Sequence, residues 1–191
     1  MSLGDLVEFG STGLLVSPLC LGTSSWGPAR VAETREEGEQ RIGALADAFF
    51  AGALPTNYID TSNEYGKALS ELQIGAAIRR ANGLGSALVL QTKLDRDVTT
   101  GDFSGDRMWR SLEESQKRLG LDRIPMMFLH DPENIGFEAS MARGGPVEAL
   151  VAMKERGHVE HIGISGGPVG MLQKFVETDI FEALVSHNRF T

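Results

Sequence analysis

The stretch Ala87-Leu-Val-Leu-Gln-Thr-Lys93 is typical of a buried β-strand, and its last residue carries an ammonium group. Upstream, the short β-prone run Asn57-Tyr-Ile-Asp60 ends in a carboxylate. Downstream, the apolar run Ile124 to Leu129 is followed by the imidazole of His130. A core packed for stability alone does not require three complementary titratable groups at successive strand ends. A parallel sheet places such groups together, because the carboxyl ends of its strands converge on one site.

Amphipathic helical patterns separate these strands. Thr34 has a glutamate and Ser70 a glutamine three residues further on, which predicts a capping box at the start of two helices. Proline at the first helical position favours a fourth helix start after Gly145. The predicted helix starts, in chain order, are Thr34, Ser70, Asp106, Gly145 and Pro168. Six strands alternating with five helices indicate βαβ units and a parallel sheet.

Two parallel architectures compete for this pattern. A doubly wound dinucleotide-binding sheet has G-x-G-x-x-G after its first strand, and neither Gly22–Gly27 nor Gly163–Gly170 has that spacing. In a (β/α)₈ TIM barrel, polar residues gather at the carboxyl ends of many strands. Here they follow all six predicted strands: Thr23 and Ser24, Asp60, Lys93, His130, Ser165, and His187 with Asn188. We therefore predict an α/β barrel in which residues 1–191 form a single domain.

The composition indicates which classes of partner and which location the protein is expected to have. The formal net charge is −8 and no basic patch is present, which argues against nucleic acid. No apolar run approaches the roughly 20 residues of a membrane span, and no secretion signal precedes the first strand. These features favour a cytoplasmic protein with a small-molecule substrate. A metal-dependent hydrolase would need a His-x-His at an early strand, and its absence predicts no metal site.

Several segments resemble the aldo-keto reductase family, in order, from about Val7 to Thr191. They are Phe9-Gly-Ser-Thr-Gly-Leu-Leu-Val-Ser-Pro18, Tyr58-Ile-Asp-Thr-Ser-Asn-Glu-Tyr-Gly66 with Ser70-Glu71, Gln91-Thr-Lys93 and Phe128-Leu-His130. The resemblance implies an oxidoreductase that uses NADP or NAD. It also implies that the first of these segments is a hairpin that closes the bottom of the barrel.

Residue by residue, the resemblance implies a catalytic tetrad of Asp60, Tyr65, Lys93 and His130. Tyr65 would be the general acid or base, and Lys93 would lower the pKa of its phenol while Asp60 holds the ammonium. The implied cofactor contacts are Gly22, Thr23, Asp60, Ser165, His187 and Asn188, and the implied substrate contacts are Trp26, Tyr65 and His130. The family commonly has asparagine after the serine at position 165, where this chain has Gly166.

Within the family, four segments resemble bacterial D-threo-aldose 1-dehydrogenases, also called L-fucose dehydrogenases: His130-Asp-Pro-Glu133, Gly144-Gly145, Gly166-Gly-Pro168 and Ser186-His-Asn-Arg-Phe-Thr191. Pyridoxal 4-dehydrogenases are the second resemblance. A general aldehyde reductase and a non-catalytic, nucleotide-binding regulatory subunit remain alternatives. Because a TIM barrel needs about 200–250 residues, we expect the native protein to continue past Thr191.

Overall fold

The computed structural model describes residues 5–27 and 34–187. Eight strands are present in this part of the chain: β1 Val7–Glu8, β2 Leu15–Val16, β3 Leu21–Gly22, β4 Tyr58–Asp60, β5 Val89–Leu94, β6 Ile124–His130, β7 Val159–Gly166 and β8 Ala183–Ser186. The α-helices are α1 Arg35–Phe50, α2 Leu69–Arg80, α3 Gly105–Leu119, α4 Phe137–Met141, α5 Pro146–Glu155 and α6 Val169–Val176, with a 3₁₀ turn at Pro132–Asn134.

Strands β3 to β8 form one six-stranded sheet in which every neighbouring pair is parallel. The spatial order follows the order along the chain without reversal. A doubly wound sheet would reverse its order at a switch point. The strand order thus confirms the parallel sheet and the barrel type of winding, with six strands forming a curled half of the barrel.

The first predicted strand is corrected by the structure. The apolar run Val16 to Gly22 divides between β2, which pairs antiparallel with β1, and β3, which pairs with β4. Between them the chain turns, and the Ser17 amide donates to the Asn57 side-chain oxygen at 2.8 Å. Pro18 follows directly and has no N–H with which to continue a ladder.

The β1–β2 hairpin packs against the amino-terminal side of the sheet. The Phe9 ring lies 5.0 Å from the Tyr58 ring and 6.3 Å from the Phe128 ring. Gly10 has φ +58°, and a Cβ there would lie 2.0 Å from the Glu182 carbonyl oxygen just before β8. Only glycine allows this close approach. The hairpin therefore packs on the first residue of β4, on a ring within β6 and on the residue just before β8.

The capping box of α1 is present as predicted. The Glu37 amide donates to the Thr34 hydroxyl at 3.3 Å, and the Thr34 amide donates to the Glu37 carboxylate at 2.8 Å. These reciprocal bonds satisfy two amides at the start of the helix. Gly145 likewise precedes α5, with Pro146 at its first position.

Two predicted caps are wrong. Helix α2 begins at Leu69, and the residue before it, Ala68, is the N-cap and has a left-handed conformation with φ 70°. Ser70 therefore lies inside the first turn of the helix, where it is fully buried. Helix α3 is capped by Ser104, whose hydroxyl accepts from the Arg107 amide at 3.2 Å. Asp106 lies in the first turn of α3 rather than before it.

The main hydrophobic core lies between the sheet and its covering helices. Phe49 of α1, Met108 and Leu112 of α3, and Leu150 of α5 are at most 1% exposed and share one cluster with strand residues such as Leu90. Burial of each such side chain contributes roughly 1.5–3 kcal/mol. In the described part of the chain, no helix combines the length and apolarity needed to cross a bilayer.

Candidate active site

Four side chains meet at the carboxyl ends of the first strands of the sheet. Asp60 ends β4, Lys93 is the second-last residue of β5, and His130 ends β6. Tyr65 comes from the loop that follows β4 and reaches back over these ends. All four residues predicted as a tetrad are thus neighbours, and their contacts can be described one at a time.

Lys93 is the centre of the group and is only 1% exposed. Its Nζ donates to Asp60 Oδ1 at 2.6 Å, to the Thr61 carbonyl oxygen at 2.7 Å and to the Tyr65 hydroxyl at 3.1 Å. An ammonium has three protons, so all of its donors are used. Burial acts to lower the pKa of Lys93, but the attraction of Asp60 and Tyr65 outweighs it and the pKa is raised. Lys93 is therefore a fixed cation.

The Tyr65 loop depends on a glycine. Gly66, Lys67 and Ala68 all have positive φ values, between 56° and 70°. A Cβ at Gly66 would lie 2.0 Å from the Trp26 carbonyl oxygen, so any other residue would push the loop away from the β3 end. This packing places the neighbouring Tyr65 hydroxyl over Lys93.

Lys93 lowers the pKa of the Tyr65 phenol as predicted, but it does not set the net direction of the shift. Burial raises the pKa of the phenol, and although Lys93 lowers it, Asp60 raises it further, so the net direction is upward. The physical reason is burial, which disfavours the charged phenolate by more than the Lys93 ammonium stabilises it. In this arrangement Tyr65 is a neutral phenol, able to donate a proton.

Asp60 receives a second donor that the sequence analysis did not identify. The side-chain amide of Gln91 donates to Asp60 Oδ1, and the buried Tyr58 hydroxyl donates to the Gln91 side-chain oxygen. Asp60 therefore ends a chain of buried hydrogen bonds that crosses β4 and β5. This fixes the carboxylate opposite Lys93.

His130 is held by a carboxylate that the sequence analysis also missed. Its Nδ1 lies 2.5 Å from Asp95 Oδ1, and the ring stands edge-on to the Tyr65 ring with centroids 5.8 Å apart. Asp95 follows the end of β5, two residues after Lys93. Side chains two apart on an extended chain point to the same side. That alternation was a signal that could have identified Asp95.

The predicted contacts in the first loop have packing partners within the chain. Thr23 is fully buried, and its hydroxyl donates to the Asp60 carbonyl oxygen at 2.8 Å while accepting from the Ser70 hydroxyl at 2.7 Å. Trp26 is 3% exposed and belongs to the main core. Gly22 pairs with Asp60 in the β3–β4 ladder. Burial of Trp26 favours barrel packing over a substrate wall, and its substrate contact stays a prediction.

The later strand ends contribute polar groups to the same rim. Ser165 is 4% exposed and pairs in register with His130 across β6 and β7. His187 follows β8 and lies beside Gly167. Asn188, the other predicted contact there, lies outside the described residues.

Three buried oxygens near these strand ends have no hydrogen-bond partner among the described residues: Asp131 Oδ1, Glu133 Oε2 and Ser186 Oγ. Buried acceptors normally find donors, so this rim suits a ligand with N–H or O–H groups. Within residues 5–27 and 34–187, no group of three or more histidine, cysteine or acidic side chains is arranged to hold a metal ion.

A model of the Aldo/keto reductase family matches residues 18–191. The parallel sheet, the tetrad geometry and this match agree, and the chain belongs to the aldo/keto reductase family. It is 32% identical over 167 residues to an L-galactose dehydrogenase of Arabidopsis thaliana. It is 28% identical over 203 residues to a D-threo-aldose 1-dehydrogenase of a Pseudomonas species.

The chain is shorter than these relatives. The two matches cover 86% and 95% of this chain but 49% and 59% of the relatives. Among solved structures, an aldo-keto reductase from Pseudomonas aeruginosa superposes with a TM-score of 0.71 at 27% identity, covering 97% of this chain and 79% of that one. The half-barrel described above therefore has the fold of this family.

Proposed function

We propose that this chain provides the catalytic half of an oxidoreductase that transfers hydride between NADP or NAD and the C1 of an aldose, or an aldehyde or ketone carbonyl. Tyr65 is the general acid in reduction and the general base in oxidation. The observation that carries the proposal is the position of Lys93 Nζ, 2.6 Å from Asp60 Oδ1 and 3.1 Å from the Tyr65 hydroxyl. A buried phenol beside a paired cation suits proton transfer to a carbonyl oxygen.

In reduction, a bound nicotinamide supplies the hydride that adds to the carbonyl carbon. Tyr65 donates its proton to the carbonyl oxygen as negative charge develops there. Lys93 stabilises the resulting phenolate, because its ammonium keeps its place through Asp60 and the Thr61 carbonyl oxygen. Solvent then returns a proton to Tyr65.

In oxidation, the same groups act in reverse. The Tyr65 phenolate accepts the hydroxyl proton as the C1 hydrogen leaves as hydride, and the C1–O bond becomes a carbonyl. His130 lies beside Tyr65, ring to ring at 5.8 Å, and orients the reacting oxygen. Because the pKa of Tyr65 is raised, the phenolate needed for oxidation forms only at a higher pH than in an ordinary tyrosine.

The rim residues fit a nicotinamide. A carboxamide brings N–H donors, and the buried Ser165 lies near the end of β7, in register with His130 of the tetrad. We propose that Ser165, with His187 and Asn188, would hold the carboxamide, and that Gly22, Thr23 and Asp60 would also contact the cofactor. The position of Ser165 beside His130, and of His187 directly after β8, supports this assignment.

For the substrate we propose an aldose such as L-fucose, oxidised at C1 to a lactone. Two relatives are named for aldoses, a D-threo-aldose 1-dehydrogenase and an L-galactose dehydrogenase. The unpartnered carboxylate oxygens of Asp131 and Glu133 support a polyhydroxylated ligand, because sugar hydroxyls can donate to them.

The proton step is tested with Tyr65→Phe in the full-length protein. The phenylalanine ring keeps the contacts with His130 and Lys93 but has no proton to transfer. We expect kcat to fall by roughly 10²–10⁴-fold, with nicotinamide affinity measured by fluorescence titration unchanged within about threefold. A variant that kept most of its kcat would show that another group supplies the proton.

Substrate class is tested by turnover of L-fucose, L-galactose, simple aldehydes and pyridoxal with each nicotinamide cofactor. Oxidation of an aldose with the highest kcat/KM supports the proposal. Efficient oxidation of pyridoxal with no turnover of any aldose would replace it with a pyridoxal dehydrogenase. Cofactor binding without turnover of any substrate would instead indicate a regulatory, nucleotide-binding subunit.

A further inference from the structure

Two buried polar side chains, Tyr58 and Gln91, continue the hydrogen bonds of the site into the interior of the sheet. Tyr58 is the first residue of β4 and is 7% exposed, and Gln91 lies within β5 and is 1% exposed. Gln91 pairs in register with Asp60, and alternation along β4 puts Tyr58 on the same side of the sheet as Asp60. Neither side chain has a part in the proton step proposed above.

The hydrogen bonds determine which end of the Gln91 amide faces Asp60. Asp60 is paired with the Lys93 ammonium at 2.6 Å, and a carboxylate has only acceptors. Gln91 Nε2 therefore donates to Asp60, which leaves Gln91 Oε1 to accept from the Tyr58 hydroxyl. Burial raises the pKa of the Tyr58 phenol, so this hydroxyl keeps its proton. The bonds thus run in one direction, from Tyr58 through Gln91 to Asp60.

Gln91 and Lys93 donate to the same oxygen, Asp60 Oδ1. The second donor matters because Asp60 acts against Lys93 at the Tyr65 hydroxyl. The ammonium favours the phenolate, whereas the carboxylate disfavours it. The Gln91 N–H group offsets part of the carboxylate charge and restrains the position of Asp60. Lys93 Nζ can then keep its 3.1 Å contact with the Tyr65 hydroxyl.

The other titratable groups that face Tyr65 are held by different bonds. Asp95 also acts to raise the pKa of Tyr65, but its carboxylate is bound by the loop after β4 and by His130. The His130 ring stands edge-on to Tyr65, with centroids 5.8 Å apart. Gln91 therefore acts on Tyr65 chiefly through Asp60, and its amide can be removed without a change at Asp95 or His130.

We propose that Gln91 is a positioning residue that holds Asp60 in place. Through Asp60 it keeps the Lys93 ammonium directed at Tyr65, and the Tyr58 hydroxyl orients the Gln91 amide. This inference rests on the proposed function only for the role of Tyr65 in proton transfer. Without the amide, Asp60 draws more strongly on Lys93, and the Tyr65 phenolate becomes harder to form. Oxidation, which needs the phenolate, should then begin at a higher pH.

The titration of Tyr65 is measured without turnover, by ¹⁹F NMR of the full-length protein with 3,5-difluorotyrosine in place of tyrosine. Fluorine lowers the pKa of a phenol, which brings the titration into the range where the protein is stable, and the signal lost in Tyr65→Phe assigns the residue. In Gln91→Met, which has a similar volume but no amide, the midpoint should rise. The phenolate fraction at a given pH below the midpoint should fall by roughly three- to tenfold.

An unchanged or lower midpoint in Gln91→Met would overturn the proposal, whether or not the protein oxidises an aldose. The proposed function fails separately, if Tyr65→Phe keeps most of its kcat. Where both hold, the pH at which kcat/KM for oxidation rises should move in Gln91→Met in the same direction as the midpoint of Tyr65.

Thr92→Val is the matched control. Thr92 is fully buried in the same strand, and its hydroxyl donates to Glu71 at 2.7 Å on the opposite side of the strand. The variant also loses a buried hydrogen bond, so it should unfold at a lower urea concentration than the wild type. The midpoint of Tyr65 should stay as in the wild type. A shift equal to that of Gln91→Met would show that any lost bond in β5 moves Tyr65, which would refute a specific role for Gln91.

A double variant, Tyr58→Phe with Gln91→Met, separates the effect on Tyr65 from the effect on stability. Gln91→Met alone leaves the buried Tyr58 hydroxyl without its acceptor, and the double variant removes that hydroxyl as well. We expect the double variant to be more stable than Gln91→Met and to keep the raised midpoint of Tyr65. A midpoint that returned to the wild-type value together with the stability would show that Gln91→Met had acted by disturbing the core, and the proposal would fail.

Discussion

Replacement of Lys93 by methionine tests whether the buried cation holds the site together. Methionine fills a similar volume but has no charge. The substitution leaves Asp60, whose side chain is 15% exposed, without its 2.6 Å ion-pair partner. It also leaves the Thr61 carbonyl oxygen without its 2.7 Å donor. Gln91 remains as one donor to Asp60.

The expected loss of unfolding free energy follows from the polar groups that Lys93→Met leaves unpaired. Removal of one member of a buried ion pair costs about 3–5 kcal/mol of unfolding free energy. Since Asp60 keeps Gln91 and some contact with water, we expect about 3 kcal/mol for Lys93→Met. Asp60→Asn in the same chain removes the stranded charge, so the double variant should be more stable than the sum of the singles by about 1–3 kcal/mol.

The assay is urea unfolding of the full-length protein at neutral pH, for the wild type, both single variants and the double variant. Arg80→Met is the control, because the Arg80–Asp47 pair has a similar length of 2.7 Å but both side chains are about half exposed. That variant should lose less than about 1 kcal/mol. A coupling energy below about 0.5 kcal/mol between Lys93 and Asp60 would refute the reasoning.

Three further outcomes are expected. The pKa of Tyr65 is raised and reduction needs the protonated phenol, so kcat/KM for reduction should stay constant up to about pH 10 and fall above it. A loss of kcat/KM already near pH 8 would contradict this. Gly66→Ala should destabilise the protein by about 1–3 kcal/mol and lower kcat, because residue 66 has φ +64° and a Cβ there would meet the Trp26 carbonyl oxygen. Unfolding and turnover like those of the wild type would contradict this packing argument. Ser104→Ala should cost about 1 kcal/mol in thermal unfolding and Asp106→Ala less, since Ser104 is the cap of α3; the reverse order would contradict the assignment.

The strand succession was predictable from sequence because the long strands β5 and β6 contain short apolar runs, Val89-Leu90 and Met126 to Leu129. The burial of β5 on every residue and of most of β6 explains this signal. Helix starts were predictable where local bonds decide them, as in the capping box of Thr34. The start of α2 was not, because a tertiary contact between Gly66 and Trp26 imposes the loop conformation ahead of Ser70.

The candidate site was also predictable in part from the sequence. Asp60, Lys93 and His130 stand at strand ends, where topology alone brings them together. The pKa of Tyr65 was not predictable, because its direction depends on burial and on how fully Asp60 compensates Lys93. The alternation along β5 places Asp95 on the same side as Lys93, but its role depends on contacts from the β4 loop, β6 and α3, which the sequence of β5 does not report.

The two carboxylates of the site each hold one of the groups proposed to face the substrate. Asp60 keeps Lys93 in place, 3.1 Å from the Tyr65 hydroxyl, and Asp95 contacts Nδ1 of His130 at 2.5 Å. Burial raises the pKa of the Tyr65 phenol despite the nearby ammonium, so the hydroxyl is protonated and can donate. On the proposed mechanism, reduction uses this protonated phenol, whereas oxidation first requires the phenolate. The two directions should therefore depend on pH in opposite ways, with reduction lost and oxidation gained as the pH rises through the pKa of Tyr65.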